Sequence, residues 1–319
     1  MSTSTTYLHK TQQWLYIAPE GLAVLETGMA KDGMPYLAIK ASQPSTNPLD
    51  RSEEYAQWVK QQVTGNINIL LADGLHQVLL SDVPDVPEAE MDAAIELKAG
   101  DLLSYDLDDA LLDTIHLPKE AYRGRLRMAF IVAAKKNPLR LWLMALIRLG
   151  IRVDIIDVET TQLRNLALMK RKFNESGIFH LKPDNSRLVL NYGQEMVLSR
   201  TFDIGLSSLS SETTVQDGEL ELTVTEDTQA VIQLETLVLE IRRSLDYYEA
   251  QLGLGSIAEI QFLCDPLQHQ FAEQLADKLG VRFEQLDPSD FMRIQVVDPD
   301  DDPVTYYGLA GTAYREIAQ

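Results

Sequence analysis

Apolar and polar positions alternate with a period near two at the start of this chain. Two short runs between Gln13 and Glu26, broken by Pro19-Glu20-Gly21, predict a pair of strands joined by a turn, and Tyr36 to Lys40 predicts a third. From Asp50 to Val63 the period lengthens to that of a helix, with Tyr55, Val59 and Val63 on one side. Ile67-Asn-Ile-Leu-Leu71 predicts a short strand of the buried type, and His76 to Leu80 predicts another strand. Further on, Arg127 to Ala134 predicts a strand and Pro138 to Leu149 a helix, with proline in its first turn and Gly150 just past its end. Ile151 to Asp157 predicts a strand and Val158 to Lys172 a helix.

The second half repeats the alphabet in another order. Ile178–Leu181, Leu188–Tyr192 and Met196–Phe202 predict a meander of strands, and Gln229 to Leu252 a long amphipathic helix closed by Gly253. Strand, helix and strand follow at Ile257–Leu263, Pro266–Leu279 and Val281–Leu286, then an acidic loop at Asp298–Asp302 and a closing helix at Tyr307–Ile317. Ser207 to Thr228 is rich in Ser, Thr, Asp and Glu and predicts a polar connection with one short strand at Leu220–Val224. Three strands, a helix and a strand begin a ribonuclease-H-like half; a Rossmann unit would place a helix after its first strand.

Charge marks a boundary. Acids dominate residues 82–113, from Asp82 through Glu96 to Asp113, with Lys98 alone opposing them. Basic residues then take over from Lys119 to Arg152, and an inversion of this kind predicts a separate module. The expected organisation is a first lobe at 1–81, an inserted α/β subdomain at 82–160, a bridging helix at 161–176, a second lobe at 177–304 and a closing helix at 305–319.

Composition narrows the function. At 319 residues the chain is long enough for two packed lobes, and 45% hydrophobic with 24% charged residues is a folded composition. A net charge of -20 excludes a nucleic-acid partner, since phosphate backbones need concentrated Lys and Arg. The single Cys264 permits neither an internal disulfide nor a cysteine-based zinc cage, and five scattered histidines supply no paired ligand spacing. Residues 1–10 are polar, unlike a signal peptide, and the most apolar stretch, Leu139 to Leu149, is interrupted by Arg140 and Arg148. The expectation is therefore cytoplasmic, with no direct membrane insertion and no metal.

Several side chains invite sharper readings. Asp154, Asp157 and Glu159 alternate along a strand and are expected on its solvent face rather than in a carboxylate site. His116 and His180 are expected as core or edge histidines, and Ser199, Arg200 and Asp203 lack a histidine with which to form a hydrolytic set. Arg242 and Arg243 are expected on a solvated helix face, paired with Asp246. The basic helix after Pro138 could approach anionic lipid, but its Leu139, Leu141, Trp142, Leu143, Ala145 and Leu146 are assigned to the core.

Strand, glycine turn, strand and polar tail across Arg187–Gly205 resemble the phosphate-binding hairpin of actin-like ATPases. Together with Glu96–Asp113, Phe130–Lys136, Gly150–Glu159, Ile241–Tyr248 and Gly308–Ala313, taken in order, the chain resembles the PilM family, including its MSHA-type branch. PilM proteins are the actin-like cytoplasmic component of type IV pilus machinery. The resemblance implies an α/β, actin-like ATPase (ribonuclease-H-like) two-lobe fold with an inserted α/β subdomain. It also implies a place on the inner face of the inner membrane, held there through protein partners. The implied partners are other pilus platform subunits and a PilN-like bitopic membrane protein. The N-terminal cytoplasmic peptide of the latter would lie in a groove between the inserted subdomain and the first lobe.

Where the family's fold grips nucleotide, this chain departs from the pattern. The first hairpin should carry Asp-x-Gly, whose carboxylate orients magnesium-bound water; here the turn offers Pro19, Glu20 and Gly21. The second keeps Gly193 but has Asn191 where the metal-orienting aspartate belongs, and Gly205 ends its tail. The adenosine-side Gly-Gly is replaced by Cys264 and Asp265. A degenerate nucleotide cleft, no ATP or Mg²⁺ cofactor and no catalysis are expected. Two other readings stay open: an ATP-binding ATPase in which backbone groups near Gly193 and Gly205 compensate for Asn191, or the cytoplasmic domain of a type II secretion platform protein.

Overall fold

The computed structural model describes residues 11–121, 127–209, 224–264, 269–298 and 302–315. It divides into two compact units. One takes in the chain up to Leu166 and again from Pro288; the other runs Ala167–Asp287.

The first unit begins with β1 (Gln12–Ala18), β2 (Gly21–Met29) and β3 (Pro35–Pro44), an antiparallel meander. Helix α1 (Ser52–Gln62) leads to β4 (Ile67–Leu71), which pairs parallel with β1 and is buried at every position. Next come β5 (His76–Asp82), α2 (Glu88–Leu102), β6 (Ala110–His116) and β7 (Met128–Lys135), then α3 (Lys136–Arg148), β8 (Val153–Val158) and α4 (Glu159–Met169). Strand β8 returns to the first sheet beside β4. Against that sheet, α1 and α3 bury Val59, Leu139, Trp142 and Leu146 on Leu15, Ile17, Ile69 and Leu71. Burying an aliphatic or aromatic side chain of this size contributes about 1.5–3 kcal/mol, so the layer is cohesive. A second, three-stranded sheet in the order β5-β7-β6 packs α2 through Ile95, Ala99 and Ile131.

The second unit holds β9 (Glu175–Leu181), β10 (Ser186–Tyr192) and β11 (Glu195–Phe202), then α5 (Leu206–Leu209), α6 (Val224–Asp246), β12 (Glu259–Cys264), α7 (His269–Leu279) and β13 (Arg282–Gln285). Its sheet runs β11-β10-β9-β12-β13, antiparallel in the meander and parallel at β9-β12-β13. Phe179, Phe202, Phe262 and Phe283 form its aromatic core, with ring centroids 6.1–6.4 Å apart. A π-helical turn, Tyr247–Gln251, follows α6 and buries Tyr248. The chain then re-enters the first unit, where β14 (Arg293–Val296) pairs parallel with β3 and a 3-10 helix spans Pro303–Tyr314.

These pairings redraw four expected boundaries. The inserted subdomain was expected at 82–160, yet its sheet starts at β5 and excludes β8, because β5 pairs with β7 while β8 pairs with β4. The bridging helix, expected at 161–176, spans Glu159–Met169 and contains the division between the units. The second lobe, expected to reach 304, ends at Asp287, since β14 is a strand of the first sheet. The closing helix, expected at 305–319, is the 3-10 helix that starts at Pro303, where Asp302 accepts a hydrogen bond from the Val304 N–H at 3.0 Å. The strand expected at Leu220–Val224 and most of the acidic loop after Asp298 lie outside the described residues.

Candidate functional site

The turn between β1 and β2 is tied down by its own neighbours. The Pro19 carbonyl accepts from Asn47 N–H at 2.7 Å and the Glu20 carbonyl from Ser45 N–H at 2.9 Å. A Cβ on Gly21 would lie 2.9 Å from the Gln43 carbonyl oxygen, so the strand β3 backbone requires glycine there. Beside this turn stands Tyr16, whose hydroxyl is pushed well above its ordinary titration range. Burial is the main cause, followed by the charges of Glu159, Glu20 and Asp73. Tyr16 donates to Glu159 Oε2 at 3.3 Å, and the Asp73 N–H donates to the same oxygen at 3.1 Å. The environment of the first hairpin is thus carboxylate-rich.

Glu159 corrects an expectation. It is 1% exposed and begins α4, whereas strand alternation had placed it on a solvent face. Of its two companions, Asp154 is exposed and bonds Asn66, while Asp157 pairs with Arg315 Nε at 2.8 Å and accepts from Thr161 Oγ1 at 2.6 Å. His180 is buried in β9, and His116 is exposed on β6, an edge strand of its sheet. Arg243 pairs with Glu240 rather than with Asp246.

In the second unit, Asn191 lies in β10, fully buried, with neither amide oxygen nor amide nitrogen hydrogen-bonded. Tyr248 donates instead to its main-chain carbonyl at 3.1 Å. Gly193 supplies the left-handed residue of the hairpin, with φ 62. Its N–H donates to the Asn174 carbonyl at 2.9 Å and its own carbonyl accepts from Arg171, so this backbone is internally engaged. A Cβ on Gly205 would stand 2.3 Å from the Pro183 carbonyl oxygen, so this glycine allows two chain segments to touch. Cys264 is buried at the end of β12. Asp265 lies outside the described residues.

Within the first unit a cavity of about 310 Å³ is lined by the segment that follows β3 and by residues at the ends of β5 and β7 in the three-stranded sheet. Asn47, Leu49 and Asp50 form one wall; Leu75, His76 and Gln77, Ser104 and Tyr105, and Lys135 form the other. The first wall is held by Trp142, whose indole N–H donates to the Leu49 carbonyl at 2.9 Å, and by Asn47 in the left-handed conformation at φ 49. His76 anchors the second wall, its ring nitrogens 2.9 Å from the Ala72 carbonyl and 3.0 Å from Thr160 Oγ1. The Tyr105 hydroxyl is buried and without a hydrogen-bond partner, and its titration is raised by burial and then by Asp109. Two leucines, an acid and a base suit a short peptide better than a small apolar ligand.

No protein-family model matches the chain, and no curated protein matches it. Among solved structures, a PilM–PilN type IV pilus biogenesis complex is similar over 96% of this chain and 98% of that one, with a TM-score of 0.65 at 20% identity. The cytoplasmic domain of EpsL, an inner-membrane component of the type II secretion system of Vibrio cholerae, matches over 95% of this chain and 94% of that one (TM-score 0.48, 12% identity). A Bacteroides thetaiotaomicron protein with an actin-like ATPase fold and unknown function matches over 97% and 99% (TM-score 0.48, 11% identity).

The chain has the actin-like fold. The expected fold class is therefore correct. Of the positions through which an actin-like fold would hold nucleotide, Glu20 and Gly21 belong to the first unit, and Asn191, Gly193, Gly205 and, on the adenosine side, Cys264 to the second. Sequence reasoning named Glu159 but placed it in solvent, and it missed every wall residue of the cavity. The signal for Glu159 was available: it directly follows the strand and opens a helix, where period two no longer applies. Among the described residues, no three His, Cys, Asp or Glu side chains converge to hold a metal ion, and no helix is long and apolar enough to cross a membrane.

Proposed function

We propose that this protein is a non-catalytic, PilM-type scaffold of a type IV pilus assembly platform, of the MSHA type and similar to MshI. It works at the inner face of the inner membrane. Its partner is a PilN-like bitopic protein whose N-terminal cytoplasmic peptide enters the cavity between the Asn47–Asp50 wall and the Gln77–Tyr105 wall. The observation that carries the reading is that cavity, in a chain whose fold is shared with the PilM of a PilM–PilN complex. An extended peptide could pair with β5, an edge strand of its sheet, seat an apolar side chain on Leu49 and Leu75, and meet the exposed charges of Asp50 and Lys135.

Loss of catalysis rests on the hairpins. All three glycines have structural duties, the Gly193 N–H is occupied, Asn191 brings no charge, and carboxylates crowd the first turn. Like charges about 4 Å apart repel by about 1 kcal/mol in water and by several kcal/mol in a drier site. A competing reading, a nucleotide-binding relative, is favoured by buried Glu159, a carboxylate held close to the first hairpin.

The test is capture of a partner N-terminal peptide by the full chain and by Asp50→Asn with Lys135→Gln. Both side chains are exposed, so stability should be unchanged, while capture weakens about five- to tenfold for one lost charged hydrogen bond. Equal capture by both proteins, or by a peptide stripped of its apolar residues, would count against the cavity as the docking site.

A further inference from the structure

Helix α3 has two unlike faces. Leu139, Trp142, Ala145 and Leu146 are buried against the sheet, but Leu141, Met144 and Ile147 are 38%, 47% and 61% exposed. The assignment of Leu141 to the core is therefore overturned. At 3.6 residues per turn these three share an arc of about 140° with Lys136, Arg140 and Arg148, and no acid falls on that arc. The basic run continues through exposed Arg152, so residues 136–152 contain four cations and no carboxylate in a chain of net charge -20. Acids approach this helix from two sides: Glu53 of α1 pairs with Arg148, and at the helix start Asp109 accepts from the Asn137 N–H at 3.1 Å while Lys136 reaches the Asp108 carbonyl at 3.5 Å.

We propose that this face of α3 is a lipid-contact surface that lies flat on an anionic bilayer. The argument is charge complementarity joined to shape. An acidic protein is repelled by an anionic surface except where its own cations face it, and the Debye length of about 8 Å at physiological salt makes that selection local. The aliphatic side chains project between Lys and Arg stems that can lie along the apolar layer while keeping their charges at the headgroups. This contact is adsorption rather than spanning. It goes beyond the peptide-docking reading and involves none of the cavity walls, so either can fail without the other.

The experiment is sedimentation of the full chain with phosphatidylcholine vesicles and with vesicles containing 30% phosphatidylglycerol. Binding is expected only to the second and should disappear at 0.5 M salt. Lys136→Gln with Arg140→Gln should weaken it about 25-fold, at about fivefold per cation near the surface. Met144→Gln with Ile147→Gln should weaken it at least tenfold. All four side chains are exposed, so unchanged thermal melts and unchanged partner-peptide capture are expected of both variants. No binding to the anionic vesicles, equal binding to neutral ones, or indifference to the charge variant would overturn the proposal. So would loss of partner-peptide capture by variants that still bind vesicles, which would mark a protein-docking face instead.

Discussion

Asn191→Asp restores the residue an actin-like ATPase would carry, and its cost can be worked from the site. Asn191 is fully buried, both atoms of its amide group lack partners, and the hydroxyl of Ser176, opposite it in β9, is buried and unpaired as well. A carboxylate introduced there would lose its hydration and find no cation among these neighbours. Burial of this kind raises a carboxyl by up to 3–5 pKa units from about 3.9. Taking a rise of three units, the folded form would hold its proton up to about pH 7, while the unfolded chain ionises from about pH 4. The folded-state value is raised, so the penalty is absent below about pH 4. It then grows by about 1.4 kcal/mol per pH unit and levels near 4 kcal/mol around neutrality. Urea unfolding followed by circular dichroism is the suitable assay, because Trp14, Trp58 and Trp142 all lie in the first unit and would not report on β10. The stability difference from the natural protein should widen by about 2 kcal/mol between pH 5.5 and 7.5. A difference below about 1 kcal/mol that does not change with pH would refute the picture of a dry, uncharged position. So would stabilisation of the variant by Mg-ATP.

Two glycines separate close packing from backbone handedness. Gly205→Ala should destabilise by more than about 3 kcal/mol, because the new methyl meets backbone at 2.3 Å; Gly193→Ala, with open space around it but φ at 62, should cost about 1–2 kcal/mol. Thermal melts that rank them in the opposite order would contradict the assignment. Trp142→Phe keeps much of the buried ring but removes the bond to Leu49. It should lower stability by about 1–3 kcal/mol and weaken peptide capture by loosening the Asn47–Asp50 wall; full capture at unchanged stability would remove Trp142 from that role.

Much of the fold was legible because its elements obey one period each. The strand at Ile67–Leu71 was read with its observed limits, since four large aliphatic residues in five positions, between Gly65-Asn66 and Asp73-Gly74, allow little else. Strand β14 escaped because it is four residues long, stands close to an acidic loop, and pairs with β3, which precedes it by some 250 residues. Nothing local announces such a partner. The inserted module was visible as a charge inversion, but its edges were not, because charge reports on surface while membership of a sheet is decided by pairing. At the site, the sequence pointed to Asn191 as a departure from a nucleotide pattern and to the glycines as what is kept of it, yet it could not reveal that Gly21 and Gly205 serve close backbone contacts. Nor could it assemble the cavity, whose walls come from four separated segments. Leu141 was misplaced for a simpler reason: an apolar residue between two core positions of a helix still points outward when the turn carries it there.

The central claim is that an actin-like frame here serves as a shape for neighbours after losing its grip on nucleotide. Calorimetric titration of the full chain with Mg-ATP tests that most directly. The account predicts no saturable heat up to millimolar nucleotide, equivalent to binding weaker than about -4 kcal/mol. A dissociation constant of about 1 μM or tighter, near -8 kcal/mol, would contradict it.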